Sequence, residues 1–300
     1  MKHIAQPELA LLSSPGWKDY ELLDSGAGSK LERFGQYRFV RPEAQAIWRP
    51  SLPEREWQAA HGVFQPSDGQ EGGRWQLHGA LPERWVMEYG DLRFWAQPTP
   101  FRHMGVFPEQ ANHWDWMRAL IHQTRQPVRV LNLFGYTGLA SLAAASEGAS
   151  VTHIDASKKT ISWARENQAL SRLEDRPVRW ILDDALKFVR REARRQARYD
   201  GFIIDPPPFG RGPKGELWRI EESLPALLAE CRALLSDRPL FFVLTAYAIR
   251  TSALSIYYAL QEILADHGGS LTTGEMVLRE QSAGHVLSTA IFARWAPYAS

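Results

Sequence analysis

The sequence predicts a doubly wound, mostly parallel α/β sheet of seven strands, preceded by a smaller N-terminal β-rich domain. Three observations predict it. From residue 108 onward, apolar runs of strand length alternate with runs of helix length. One of these strands passes through a glycine-containing turn directly into an alanine-rich helix. The chain then closes with two strands joined by a short loop, not with another strand–helix pair. Its 300 residues suffice for two domains, with boundaries expected at 1–107 and 108–300.

Residues 1–107 carry the β texture. Eight of the 12 tryptophans fall before residue 117, among many turn residues. Tyr20–Leu23 and Tyr37–Val40 read as strands, and Trp85–Trp95 reads as a hairpin turning at Gly90-Asp91. Residues 50–82 show weak periodicity among Pro, Gly, Gln and Glu, so an irregular excursion is expected there. Pro108 then opens a helix reaching Ile121, proline being tolerated in a first turn. Strands follow at 128–134, 149–154, 178–182, 200–204 and 239–245. Helices are expected at 138–146, 157–170, 185–197, 221–235 and 252–267, before the final strands at 271–280 and 286–295.

Composition narrows the function. Hydrophobic residues make up 44% of the chain, enough for an ordinary core, and no apolar run approaches the ~18 residues of a membrane span. The first residues lack a secretory signal and the chain has one cysteine, which together predict a cytoplasmic protein without membrane association. A formal charge of +1 leaves nucleic-acid affinity to local patches. The nine histidines include no H-E-x-x-H pair, and with no paired cysteines a metal site is not expected.

The strand–turn–helix around Val128–Gly138 is the candidate ligand site, since α/β folds bind nucleotide-like ligands where such turns meet helix N-termini. Gly135 and Gly138 are spaced G-x-x-G, without the third glycine that serves a pyrophosphate. Asp155 ends the next strand, where a carboxylate meets a ribose and can accept from both hydroxyls. The pattern therefore favours S-adenosyl-L-methionine (SAM), a nucleoside without phosphates, over NAD. Asp183 and Asp184 end the third strand; one can accept from an adenine amino group while Ala185 donates its N–H, and one can instead cap the following helix. The fourth strand runs into Asp205-Pro-Pro-Pro-Phe-Gly210, a rigid turn with few backbone donors.

That turn resembles the (Asp/Asn)-Pro-Pro-(aromatic) motif of SAM-dependent methyltransferases acting on nucleic-acid bases, with one proline more before Phe209. With it, residues 85–300 resemble the class I methyltransferase family that modifies large-subunit ribosomal RNA. The resemblance implies that Asp205 with Pro206 or Pro207 accepts hydrogen bonds from a base and that Phe209 stacks on it. It implies cofactor contacts at Asn132, Phe134, Gly135, Thr137 and Gly138, and at Asp155, Ala156 and Ser157. Thr99–Gln110 is similar to the family segment that covers the cofactor, which points to His103 and Phe107, residues that equally suit packing at a domain junction. Residues 1–84 do not resemble the family's N-terminal RNA-binding domain. The implied partner is RNA, ribosomal by resemblance, and the favoured acceptor is a nitrogen.

Some relatives in that family methylate cytosine C5 through a thiolate. Here the single thiol, Cys231, has leucines at helical spacing and reads as core. Lys187, Arg191, Arg194 and Arg198 lie along one helix face, suited either to phosphates or to solvent. Gly210–Trp218 suits a basic flap, with Trp218 either anchoring it or stacking on a base. Two other functions stay open: an NAD(P)-dependent oxidoreductase, which Asp155 would also serve, and a catalytically silent RNA-binding module.

Overall fold

In a computed structural model, the residues described are 7–298 apart from 15, 68–71 and 248. They fall into two compact units. One comprises Ser13–Asn112 with Val277–Ser288; the other comprises the residues up to Leu12, His113–Met276 and those from Thr289 onward. This division differs from the expected boundary at 107/108, and it also returns a late segment to the smaller unit. Backbone pairing explains the return: Gln281 N–H donates to the Leu22 carbonyl at 2.9 Å and Ser282 N–H to the Leu23 carbonyl at 3.1 Å.

Strand β1 (Leu9–Ser13) comes first. The smaller unit follows with β2 (Tyr20–Gly26), β3 (Ser29–Phe34), β4 (Tyr37–Pro42), helix α1 (Glu54–Gln58), β5 (Gly62–Pro66), β6 (Gly73–Leu77), β7 (Trp85–Tyr89) and β8 (Leu92–Ala96). Strands β2 to β6 form one sheet in sequence order, and β7–β8 is the expected hairpin. The excursion expected at 50–82 holds α1, β5 and β6. Its periodicity hid the aromatic contacts that fold it: the Trp75 ring lies 5.3 Å from Phe64 and 5.5 Å from Phe39, both edge-on. Across β2, β3 and β4, buried Glu32 is held by Arg41 at 2.6 and 2.7 Å and by the Tyr20 hydroxyl at 2.8 Å.

A 3-10 turn (Pro108–Gln110) leads into α2 (Ala111–Gln123), then β9 (Arg129–Leu133), α3 (Leu139–Ser146), β10 (Ser150–Asp155), α4 (Lys158–Leu170), β11 (Val178–Leu182) and α5 (Ala185–Arg194). Next come β12 (Gly201–Ile204), β13 (Phe209–Arg211), β14 (Leu217–Arg219), α6 (Ile220–Arg232), β15 (Phe241–Ala246), α7 (Ala253–Ile263), β16 (Ser270–Arg279) and β17 (Val286–Ala296). The large sheet runs β1-β16-β17-β15-β12-β9-β10-β11. Pairings from β15 through β12, β9 and β10 to β11 are parallel, whereas β17 runs antiparallel to β15. The strand order reverses between β9 and β12, and a crevice opens at their carboxyl ends at such a point. Every residue of β12 and β15 is buried, as expected for central parallel strands covered on both faces.

The sheet has eight strands among the described residues, one more than predicted, because β1 joins at the edge beside β16. Its sequence, Leu-Ala-Leu-Leu-Ser, has neither β-branched residues nor a polar face. What admits it is Gly274, where a Cβ atom would overlap the backbone of Ala10. Gly274→Ala is therefore expected to lower unfolding free energy by about 1–3 kcal/mol, as overpacking does, measured by urea denaturation. Among the described residues no helix is long and apolar enough to cross a membrane, and no group of three or more His, Cys, Asp or Glu side chains is placed to hold a metal ion.

Candidate active site

Leu133 ends β9, and the chain turns into α3 through left-handed backbone at Phe134 (φ 60°), Tyr136 (φ 51°) and Gly138 (φ 87°). Two non-glycine residues in that region within three positions mark a strained turn, of the kind that gathers at ligand sites. The turn rests on a row of side chains crossing the sheet, since the register aligns Asn132, His153 and Trp180 on β9, β10 and β11. Asn132 Nδ2 donates to Ser141 Oγ at 2.8 Å, and that oxygen lies 2.9 Å from His153 Nδ1. Burial takes the His153 pKa down to about 3, so the imidazole is neutral. Its ring meets Trp180 at 4.6 Å, and Trp180 Nε1 donates to Gln168 Oε1 at 2.8 Å. This row explains both glycines of the turn. A Cβ at Gly135 would overlap the His153 ring, and one at Gly138 would come within 2.9 Å of Trp180 and Ala164.

Asp155 ends β10 beside the turn. Its Oδ2 accepts from the Tyr136 N–H at 2.9 Å; its Oδ1 accepts from the Ser157 N–H at 2.8 Å and the Thr160 hydroxyl at 2.7 Å. Burial raises its pKa and these three bonds oppose the rise. A carboxylate offers about four acceptor positions, so one remains, on Oδ2. The sequence reading expected acceptance from both ribose hydroxyls; here three of the carboxylate's acceptor positions are taken within the protein. Ser157 caps α4 through its side chain.

At the end of β11 the two acids divide their tasks. Asp184 caps α5 by accepting from the Lys187 N–H at 2.9 Å, whereas Asp183 pairs with Arg191 at 2.7 Å and accepts from the Asp184 N–H at 2.9 Å. The Asp183 N–H reaches back to the Asp155 carbonyl at 3.2 Å, which locks the two strand ends together.

After β12 the proline turn is rigid and already bonded. Pro206 is buried and Pro207 exposed. The Pro207 carbonyl accepts from the Trp218 indole at 2.8 Å, and the Pro208 carbonyl from the Ile220 N–H at 3.0 Å. Trp218 is 4% exposed and packs 4.7 Å from Phe134, so it anchors the β13–β14 hairpin. Phe209, by contrast, is 38% exposed.

These elements border an open cleft of about 360 Å³, counting the solvent space at its mouth. Its apolar walls are Phe134, Ile154, Pro207 and Trp218, and its polar groups are Asp155, Asp183 and Asp184. Flat apolar walls with carboxylates fit an adenosine, whose ribose and amino group are donors. Cationic groups that would suit a pyrophosphate are few: Arg211 is the one basic residue among those that line it.

Of the residues expected from the sequence, Phe134, Asp155, Ala156, Asp183, Asp184, Ala185 and Pro207 line this cleft. Asn132 beneath the turn and Thr137 and Gly138 within it are buried; the Asn132 amide goes to Ser141 and the Thr137 carbonyl to Asn167. His103 and Phe107 belong to the smaller unit, where their rings lie 4.9 Å apart and burial takes the His103 pKa down to about 3. Sequence reasoning missed Thr160 and His153. Thr160 stands in the first turn of α4, five residues after Asp155, and His153 lies two residues before Asp155 on the same face of β10, both signals available in the spacing.

Cys231 is fully buried and burial pushes its thiol pKa far up, as its leucine neighbours implied. Cys231→Ser is expected to lose about 1–3 kcal/mol of stability by burying a hydroxyl, with the rate of methyl transfer per folded molecule unchanged. The basic helix is partly neutralised: Lys187 pairs with Glu216, Arg190 with Glu230 and Arg191 with Asp183.

A family model described as S-adenosylmethionine-dependent methyltransferase matches residues 54–239. The chain is similar over 98% of its length to a SAM-dependent methyltransferase from Agrobacterium tumefaciens, covering 97% of that chain at 48% identity with a TM-score of 0.92. A protein crystallised with S-adenosylhomocysteine shares the fold at 16% identity and a TM-score of 0.71, over 93% of this chain and 75% of that one. Among curated proteins, a ribosomal RNA large subunit methyltransferase K/L from Shewanella sp. (strain ANA-3) is 38% identical over 131 residues, 43% of this chain. The match spans only 18% of that relative's length. The family match, with the likeness at 48% identity over nearly the whole chain, replaces the oxidoreductase reading. The chain belongs to the S-adenosylmethionine-dependent methyltransferase family.

Proposed function

We propose that the protein methylates a ring or exocyclic nitrogen of a base in ribosomal RNA, in the cytoplasm. The observation that carries the reading is the stiff Asp205–Phe209 turn, which reaches the cleft through Pro207 and ends in a half-exposed aromatic ring. The names of the Shewanella relatives support RNA as the acceptor. Bound SAM supplies a methyl group already activated by its sulfonium, so the protein's part is to align donor and acceptor.

Asp155 Oδ2 takes one ribose hydroxyl, while Phe134 and Ile154 flank the nucleoside and the backbone around Asp183, Asp184 and Ala185 meets the adenine. Gly135, Ala156 and Ser157 shape the turn on either side of the ribose. On the acceptor side, Asp205 and the Pro206 carbonyl accept from the base, because the Pro207 and Pro208 carbonyls already have partners within the protein. Phe209 stacks on the base. A target inside paired RNA must first leave its stack, at a cost of a few kcal/mol.

Mass spectrometry of ribosomal RNA nucleosides from cells with and without the protein tests this. The expected result is one methylated nucleoside lost with the protein and restored by adding it with SAM to the unmodified RNA. Unchanged nucleosides, together with methyl transfer to a protein or small molecule, would remove RNA as the substrate.

A further inference from the structure

The β13–β14 hairpin has two unlike faces. Its register pairs Phe209 with Arg219, Gly210 with Trp218 and Arg211 with Leu217. Directly opposed residues share a face of a sheet. Gly210 and Trp218 therefore face inward, consistent with the burial of Trp218, and the other four share the outer face, Arg211 at the edge where that face meets the cleft. Phe209 is 38% exposed and Leu217 51%, and both arginines are exposed. Each apolar side chain thus has an arginine across from it.

The charge on this hairpin is one-sided. Its single acid, Glu216, accepts from Lys187 Nζ at 2.6 Å and from the Lys214 N–H at 2.8 Å. The bond from Lys187 holds the Glu216 carboxyl far below the ordinary range, so it stays ionised and occupied. Arg211 and Lys214 make no ion pair among the described residues, and Arg219 has a water-exposed partner in Glu222 at 3.1 Å, a pair that competing phosphate can displace.

We propose that this outer face docks the target base together with the unpaired RNA strand flanking it, with Phe209 under the target base, Leu217 as the apolar platform for a neighbouring base, and Arg211 and Arg219 on the adjoining phosphates. The inference rests on the RNA reading above. An apolar face without charge would suit a protein, and a basic face without platforms would suit duplex backbone. Alternation of the two is what unpaired nucleotides require, because only they present both a base face and a phosphate to the same surface. The strand is single because an A-form duplex hides its base faces in the stack.

The test measures binding of a fluorescein-labelled 12-nucleotide oligouridylate and of an RNA duplex of equal length, across a salt series, with S-adenosylhomocysteine affinity measured in parallel. Wild-type protein is expected to prefer the single strand. Arg211→Gln and Arg219→Gln should each reduce the salt slope by about one counterion. Leu217→Ser should weaken binding several-fold with the slope unchanged. Leu217 and Arg219 do not line the cofactor cleft, so their variants should bind S-adenosylhomocysteine as wild type does. Hairpin variants that bind and methylate RNA as wild type does would overturn this inference and leave the RNA reading standing. A wild-type protein that binds S-adenosylhomocysteine but no RNA, or that methylates a protein instead, would overturn both. Equal affinity for duplex and single strand would overturn the docking mode alone.

Discussion

Gly135→Ala is expected to weaken S-adenosylhomocysteine binding on the order of 100-fold, the cost of displacing a ligand-binding turn by about an ångström. The added methyl group has nowhere to go, because it would overlap the His153 ring, and that ring is held at Nδ1 by Ser141. The turn must therefore lift, and the Tyr136 N–H that fixes Asp155 Oδ2 at 2.9 Å lifts with it. A second substitution makes the account specific. His153→Ala alone costs about 3 kcal/mol of stability through the cavity it leaves, but it opens the space that the added methyl group needs. The double variant should bind S-adenosylhomocysteine more tightly than Gly135→Ala alone, a coupling that calorimetric titration reads directly. Additive losses would mean that the clash does not govern the turn.

Asp205→Ala is expected to lower kcat by on the order of 10²-fold while changing cofactor affinity far less. The carboxyl follows β12 directly, and its N–H is anchored to the Leu133 carbonyl at 3.4 Å, so strand pairing holds it in place. In the proposed role its loss removes the acceptor that orients the base, and misplacing a reactant by about an ångström costs on the order of 10²-fold. Asp205→Asn keeps an oxygen acceptor at the same position and should retain more activity than the alanine variant. Rates from single-turnover transfer of labelled methyl, set beside S-adenosylhomocysteine affinity, separate these effects. A loss confined to cofactor affinity would move Asp205 to the donor side of the site.

The legible parts of this molecule are those where local chemistry and tertiary role coincide. Alternation of apolar strands with helices announced the parallel sheet, since strands buried on both faces have few other ways to be written. The G-x-x-G turn and Asp155 were legible because turn geometry requires glycine and a strand end positions its last residue. Cys231 was legible as core from the leucines at helical spacing around it. Trp218 was legible only as a choice between anchoring the loop and stacking on a base; its sequence neighbours gave no sign that its indole would bond the Pro207 carbonyl and leave the outer hairpin face to Phe209 and Leu217. The excursion at 50–82 and strand β1 were missed for a similar reason, since aromatic edge contacts and an opening at Gly274 are set by residues far away in sequence.

The sequence by itself determined the fold class, the strand ends at which the acids stand and the kind of cofactor they suit, because each follows from periodicity and from residue types at turns. Only the tertiary structure decided how many acceptor positions remain on Asp155, which proline carbonyls are taken, and why Gly135 and Gly138 must be glycine. Those properties depend on neighbours brought in from other strands and helices, such as Thr160, Trp218, His153 and Trp180, and hydrogen-bond capacity and free space are fixed only once those neighbours arrive.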